Sequence, residues 1–282
     1  MPQVAADIQR LKKIAQELRV DVIRMLTEAG SGHPGGSLSA VEIVTALFFH
    51  KMRHRPDDPF WPDRDRFVLS KGHCCPILYA ALAKTGYFPR DELMSLRKIG
   101  SRLQGHPYPG PPDDRLPGVE AATGSLGQGL SVAIGMALAG RLARKGHRVY
   151  PLLGDGECQA GQVWEAAMLA PKYRLDSLCA IVDQNRIQND DFVERTLSLE
   201  PFPAKWEAFG WHVIQVNGHE ISEVVRALED AEGVKGKPSV IIAGTVKGKG
   251  VSFMENNPEW HGKAPTREEG ERAVQEILAA PL

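Results

Sequence analysis

Cysteine is scarce in this sequence and shows no pairing pattern: there are four in 282 residues, with Cys74 and Cys75 adjacent and no two spaced as CxxC. A disulfide framework and a thiolate zinc site are excluded on that ground. Cys74, Cys75, Cys158 and Cys179 read instead as small buried apolar residues. Charge of one sign is also missing, because 34 Lys and Arg against 35 Asp and Glu leave a net charge of -1. Such a balance provides no overall field to gather nucleic acid or an acidic membrane. There is no long hydrophobic run: the most apolar stretch, Leu130 to Gly140, is too short and too rich in small residues to cross a bilayer. The start, MPQVAADIQR, lacks the basic segment and apolar core of a secretory signal. The expectation is a soluble cytoplasmic protein with neither a nucleic-acid nor a membrane partner.

What is present is ordinary globular composition, 43% hydrophobic and 24% charged. Apolar residues at Ile8, Leu11, Ile14, Ala15, Leu18 and Val22 predict an N-terminal helix. Gly30 to Gly36 breaks it. Ser39 and Glu42 predict a capping box opening a helix to about Phe49, and Lys51 to Asp65 a surface loop. A strand is expected at Phe67 to Ser70. Gly100 to Gly118, dense in Pro and Gly, predicts a long ordered loop of the kind that carries function. Gly124 to Gly140 predicts a helix of Gly, Ala and Ser. Each Gly there costs about 1 kcal/mol relative to Ala, so close backbone approach to another helix, in the chain or on a partner, is the expected compensation. Strands at Arg148 to Leu153, Ser177 to Val182, Trp211 to Val216 and Ser239 to Val246 alternate with helices at Gln162 to Ala170 and Ile221 to Ala231. Continuously apolar strands separated by helices predict an α/β fold: a doubly wound, mostly parallel sheet flanked by helices. No repeat or linker divides the chain, so residues 1–282 read as a single domain.

Ligands of open parallel sheets bind beyond the carboxyl ends of the strands. Here VYPLL runs into Gly154-Asp155-Gly156-Glu157, LCAIVD into Gln184-Asn185-Arg186-Ile187, and VIIAGTV into Lys247-Gly-Lys-Gly250. An Asp carboxylate and an Asn amide oxygen on neighbouring strand ends can converge on one hard cation, magnesium or calcium. The glycines allow main-chain N–H groups close to a diphosphate. GDGE by itself is equally an ordinary strand-to-helix turn with Glu157 near a helix start. With 28 residues (157–184) between Gly156 and Asn185, however, the pair resembles the magnesium and diphosphate motif of thiamine diphosphate enzymes.

Nine blocks, in order along nearly the whole chain, resemble transketolase: SGHPGG (31–36), SKGH (70–73), GHP (105–107), PGVEAATGSLGQGLSVAIGMA (117–137), LLGDGE (152–157), VWEAAM (163–168), EAFGWH (207–212), TVKGKG (245–250) and WHGKAPT (260–266). The resemblance is to the N-terminal, diphosphate-binding domain alone. It implies the thiamine diphosphate-binding fold and the N-terminal subunit of a split transketolase. A separate partner chain would carry the pyrimidine-binding and C-terminal domains, in a heterotetramer. The implied activity is transfer of a two-carbon ketol unit from a ketose phosphate to an aldose phosphate, as in the pentose phosphate pathway, with thiamine diphosphate and Mg2+ as cofactors and no activity without the partner.

The resemblance also assigns residues. Asp155, Asn185 and the main-chain oxygen of Ile187 would hold the metal. His73, Gly124, Ser125, Leu126, Gly156, Asn185, Lys247 and His261 would bind the cofactor, and His33, His106 and His261 would surround the reacting centre. Imidazole suits sugar carbonyl chemistry because it titrates near neutrality. His50, His54, His147, His212 and His219 match no such role and read as structural. One departure stands out: the family's Glu within GDGxxxEG falls at Ala160, while Glu165 is retained, so one carboxylate is absent from a cluster that shares protons between active sites. A related enzyme of another sugar pathway and a noncatalytic homologue are the alternatives.

Overall fold

The computed structural model describes residues 2–282, with side chains from Asp7 onward. Helix α1 (Pro2–Ala29) carries the predicted stripe, with Leu11, Leu18 and Val22 fully buried, and continues past it through Met25 and Leu26. Gly30, at φ 62°, ends it with an N–H to the Leu26 carbonyl. The predicted capping box does not form. Two short helices, α2 (Pro34–Ser39) and α3 (Val41–Ala46), meet at Ala40. The Ser39 hydroxyl donates to Asp183 instead, and Glu42 turns to Arg19 and His219. Strand β1 (Arg66–Leu69) and helix α4 (Cys75–Thr85) follow. Irregular chain after the short 3-10 helix Arg90–Ser95 contains the predicted loop and extends it, so that α5 (Gly129–Leu142) begins five residues later than Gly124.

The remaining elements alternate: β2 (Val149–Gly154), α6 (Gly161–Lys172), β3 (Cys179–Gln184), α7 (Val193–Leu197), α8 (Phe202–Ala208), β4 (His212–Asn217), α9 (Ile221–Gly233), β5 (Ser239–Gly244) and α10 (Arg267–Ala279). All pairings in the five-stranded sheet are parallel, in the order β1-β2-β3-β5-β4. Successive residues of a strand face opposite sides. Cys179 and Ile181 of β3 therefore join a core under α1, α3, α4 and α9, while Ala180 and Val182 join one under α5, α6 and α8. This is the doubly wound arrangement the sequence predicts.

Of the three glycines in α5, Gly129 and Gly140 permit close approach to residues outside helices of the chain, while a Cβ at Gly135 would meet nothing within 4 Å. A Cβ at Gly129 would lie 2.3 Å from Ser70 Oγ, and one at Gly140 2.6 Å from His147 Nε2. Among the described residues, no helix is long and apolar enough to cross a membrane. All four cysteines are free and buried.

Candidate functional site

Parallel pairing of β2, β3 and β5 brings three polar strand ends together. Residues from the ends of all three line a cleft of about 160 Å³, with Gly36, Lys71, His73 and His261. Asp155 is 3% exposed. Its oxygens accept from the main-chain N–H of Gly156 at 2.8 Å and of Arg186 at 2.6 Å, and no salt bridge reaches it among the described residues. Burial, with the nearby Asp183 charge, raises its carboxyl to about 7. A buried carboxylate without a cationic partner fits a bound cation, and Asn185 and Ile187 line the same cleft. Among the described residues no cluster of three His, Cys, Asp or Glu could hold a metal, so a donor set here combines one carboxylate with amide and carbonyl oxygens, the preference of a hard cation.

Asp183, fully buried, organises the floor of the cleft. It accepts from Ser39 Oγ at 2.6 Å, from Asn185 Nδ2 at 2.8 Å and from Thr245 Oγ1, and it pairs with the buried ammonium of Lys71. Burial opposes its ionisation, but Lys71 and the hydroxyl donors outweigh that and keep its carboxyl below the usual range. Glu157 knits the same edge: it accepts from Ser70 Oγ and from the main-chain N–H of Gly127 at 2.9 Å and of Gly154 at 3.1 Å.

Lys247, 2% exposed, donates to the Ile187 carbonyl at 2.8 Å and approaches His261 Nδ1 at 2.6 Å. Burial lowers its ammonium to about 8. His261 begins a group of imidazoles: its ring centroid is 5.2 Å from that of His73 and 5.4 Å from that of His33, and His33 stands 5.1 Å from His73 and 6.4 Å from His106. Burial, reinforced by neighbouring cationic groups, depresses all four. His33 falls to about 4 and His261 to about 3, so the group is neutral at pH 7.

Of the sequence-predicted residues, Asp155, Gly156, Asn185, Ile187, Lys247, His73, His261 and Leu126 line the cleft. His33, half-buried, and His106, exposed, do not line the cleft but belong to the imidazole group. Gly124, at φ 141°, lies against His106, where a Cβ would come 2.8 Å from Cδ2. Ser125 is exposed and is not among the lining residues. Ala160 begins α6 without a side-chain cap, and Glu165 is exposed on that helix. Sequence reasoning missed Lys71 and Asp183. A charge inside the apolar run CAIVD was the available signal for Asp183, since a buried charge needs a partner.

A parallel sheet with glycine turns and a buried acid–amide pair at its carboxyl edge, beside a group of neutral imidazoles, defines a cofactor-binding α/β protein. More particularly, the chain belongs to the family described as transketolase, thiamine diphosphate binding domain, which it matches over residues 10–280. It is 47% identical to the transketolase of Pongo abelii over 273 residues, 96% of this chain but 42% of that protein. The chain thus spans about two fifths of such relatives. Two others it matches nearly end to end. One is the 6-deoxy-6-sulfo-D-fructose transketolase subunit SqwG of Clostridium sp. (strain MSTE9), 44% identical over 98% of both chains. The other is one of the subunits of the apulose-4-phosphate transketolase of Phocaeicola vulgatus, 41% identical over 96% of this chain and 94% of the relative. The crystal structure of transketolase from Campylobacter jejuni superposes with a TM-score of 0.89 at 35% identity, over 95% of this chain and 43% of that one.

Proposed function

We propose that this chain is the N-terminal subunit of a split transketolase, and that a partner chain supplies the pyrimidine-binding and C-terminal domains. The observation that carries the reading is the cleft itself, where an unpaired buried carboxylate, an amide and a carbonyl adjoin the neutral imidazoles. Asp155, Asn185 and the Ile187 carbonyl would hold Mg2+. Gly156, Lys247, His73 and the Gly124–Leu126 turn would hold thiamine diphosphate. When bound, that cofactor supplies the electron sink for transferring a two-carbon ketol unit between sugar phosphates. The chain's own part is to bind, orient and move protons. Neutral His33, His106 and His261 can each take or return a proton at a sugar hydroxyl, and burial of the lysines strengthens their hold on phosphate oxygens. The four free thiols suit a reducing compartment, so we assign the enzyme to the cytoplasm. End-to-end likeness to two proteins named as subunits supports a partner, and a heterotetramer of two chains of each kind is the assembly we infer.

Those relatives are named for a sulfonated fructose and for apulose 4-phosphate rather than for a pentose pathway, which favours a second reading in which the same transfer serves another sugar. Combining the purified chain with a partner chain encoded nearby, thiamine diphosphate and magnesium, and assaying a panel of ketose and aldose donors and acceptors, tests both. Transfer by the mixture and none by the isolated chain is expected. Full activity of the isolated chain overturns the split-subunit reading, and the preferred donor decides between the sugars.

A further inference from the structure

Arg19 of α1, Glu42 of α3 and His219, in the turn between β4 and α9, line a second cavity of about 240 Å³, and none of them lines the cleft. Arg19 Nη2 meets Glu42 Oε1 at 2.5 Å, and Glu42 Oε2 meets His219 Nδ1 at 2.9 Å. On the other side of the ring, the main-chain N–H of Val246 donates to His219 Nε2 at 2.8 Å. That last bond fixes the state of the imidazole. Nε2 accepts and is therefore bare, so the ring proton sits on Nδ1 and is donated to Glu42. Burial of Glu42 works against its charge, but Arg19 and His219 outweigh it and hold the carboxyl ionised, below its usual range.

Val246 directly precedes Lys247, whose Nζ is the cleft's link between the Ile187 carbonyl and His261. Thr245 and Gly248 tie this loop inward, to Asp183 and to the Gly35 carbonyl. His219 grips it from the opposite cavity. We propose that His219 is a positioning residue: locked as its Nδ1–H tautomer by the Glu42–Arg19 pair, it clamps the main chain at Val246 and thereby aims Lys247 into the cleft. The proposal rests on reading the cleft as the cofactor site for its functional consequence, but not for the clamp itself. A carboxylate that orients an imidazole is the same device that fixes ring tautomers around metal ligands and catalytic bases, used here on a main-chain amide.

Nitrogen NMR of the isolated chain at neutral pH reads the tautomer directly. A protonated Nδ1 with bare Nε2 is expected, and an Nε2–H or doubly protonated ring overturns the proposal. His219→Phe keeps the bulk and removes both hydrogen bonds. It should speed hydrogen exchange at Val246 and weaken thiamine diphosphate binding, in the presence of magnesium, by about tenfold, an expectation set by the loss of one hydrogen bond. His219→Gln, which retains one acceptor and one donor, should recover most of that loss. Unchanged affinity in His219→Phe, or a Gln variant no better than Phe, overturns the positioning role. If the wild-type chain assembled with its partner binds no thiamine diphosphate, the cofactor reading fails, and the clamp is then decided by the tautomer and the exchange at Val246.

Discussion

Asp183 stands between Lys71 and Asn185, pairing with the ammonium of the first and accepting from the amide of the second at 2.8 Å. One fully buried acid thus neutralises a buried lysine and orients the amide of Asn185, a residue that lines the cleft. Removing one partner of a buried pair strands the other charge, at a cost of about 3–5 kcal/mol. Lys71→Met should destabilise the chain by that amount in urea unfolding, and adding Asp183→Asn should recover a large part of it. A Lys71→Met variant as stable as wild type would show that the pair does not organise the cleft floor.

The imidazole group predicts the acid side of the stability profile. His33, at about 4, and His261, at about 3, lie below the ordinary unfolded value near 6.5. Between those limits the unfolded chain binds more protons than the folded one, so stability rises with pH, is fully present above about 6.5 and declines toward pH 4. Replacing both residues by Asn should flatten the histidine-linked slope, since two of the depressed imidazoles are lost. Denaturant midpoints at pH 5 and pH 7 measure this, and an unaltered difference between them would count against burial as the cause.

Strands β2, β3 and β5 were legible because continuous apolar runs ended in polar or glycine punctuation, and the site because Asp155, Asn185 and Lys247 occupy those ends. Helix α4 was not legible. Cys75 through Ala83 are all buried, so no polar face gave it a period. The capping box misled because the Ser-x-x-Glu pattern is local while its side chains answered distant partners. Ser39 reaches Asp183, and Glu42 reaches Arg19 and His219. The box that does form, Thr266 with Glu269, opens α10, where the other partner of Glu269, Lys263, is itself local and takes the second carboxylate oxygen. Lys71 escaped notice for the same long-range reason, since its partner lies 112 positions away.

Arg186 sits at φ 64°, between the two candidate metal-binding positions Asn185 and Ile187. Left-handed backbone costs a residue bearing Cβ about 1–2 kcal/mol, which glycine avoids. Part of that gain is offset by the entropy glycine loses on folding. Arg186→Gly should therefore raise stability by about 1 kcal/mol and leave the N–H donated to Asp155 in place. Calorimetric melting of the two chains side by side gives the answer, and a lowered midpoint in the glycine variant contradicts it.

Lys247 Nζ occupies the Ile187 carbonyl that a cation would use. A carbonyl oxygen has two lone pairs, so ammonium and metal could share it, but their positive charges would repel each other across the cleft. The same ammonium would offer a positive charge to a bound diphosphate, in a setting where a charge-assisted hydrogen bond contributes about 1.5–3 kcal/mol. Lys247→Met keeps the buried stem and deletes the charge, so the two ligands should respond in opposite directions. Magnesium alone should bind the isolated chain more tightly, by about tenfold, which corresponds to about 1.4 kcal/mol of relieved repulsion. Thiamine diphosphate at saturating magnesium should bind more weakly, by roughly ten- to a hundredfold. Asp155→Ala, by contrast, should weaken both. Titration calorimetry with each ligand separates these patterns, and a Lys247→Met chain that loses affinity for magnesium as well would mean that the lysine supports the cation site rather than opposing it.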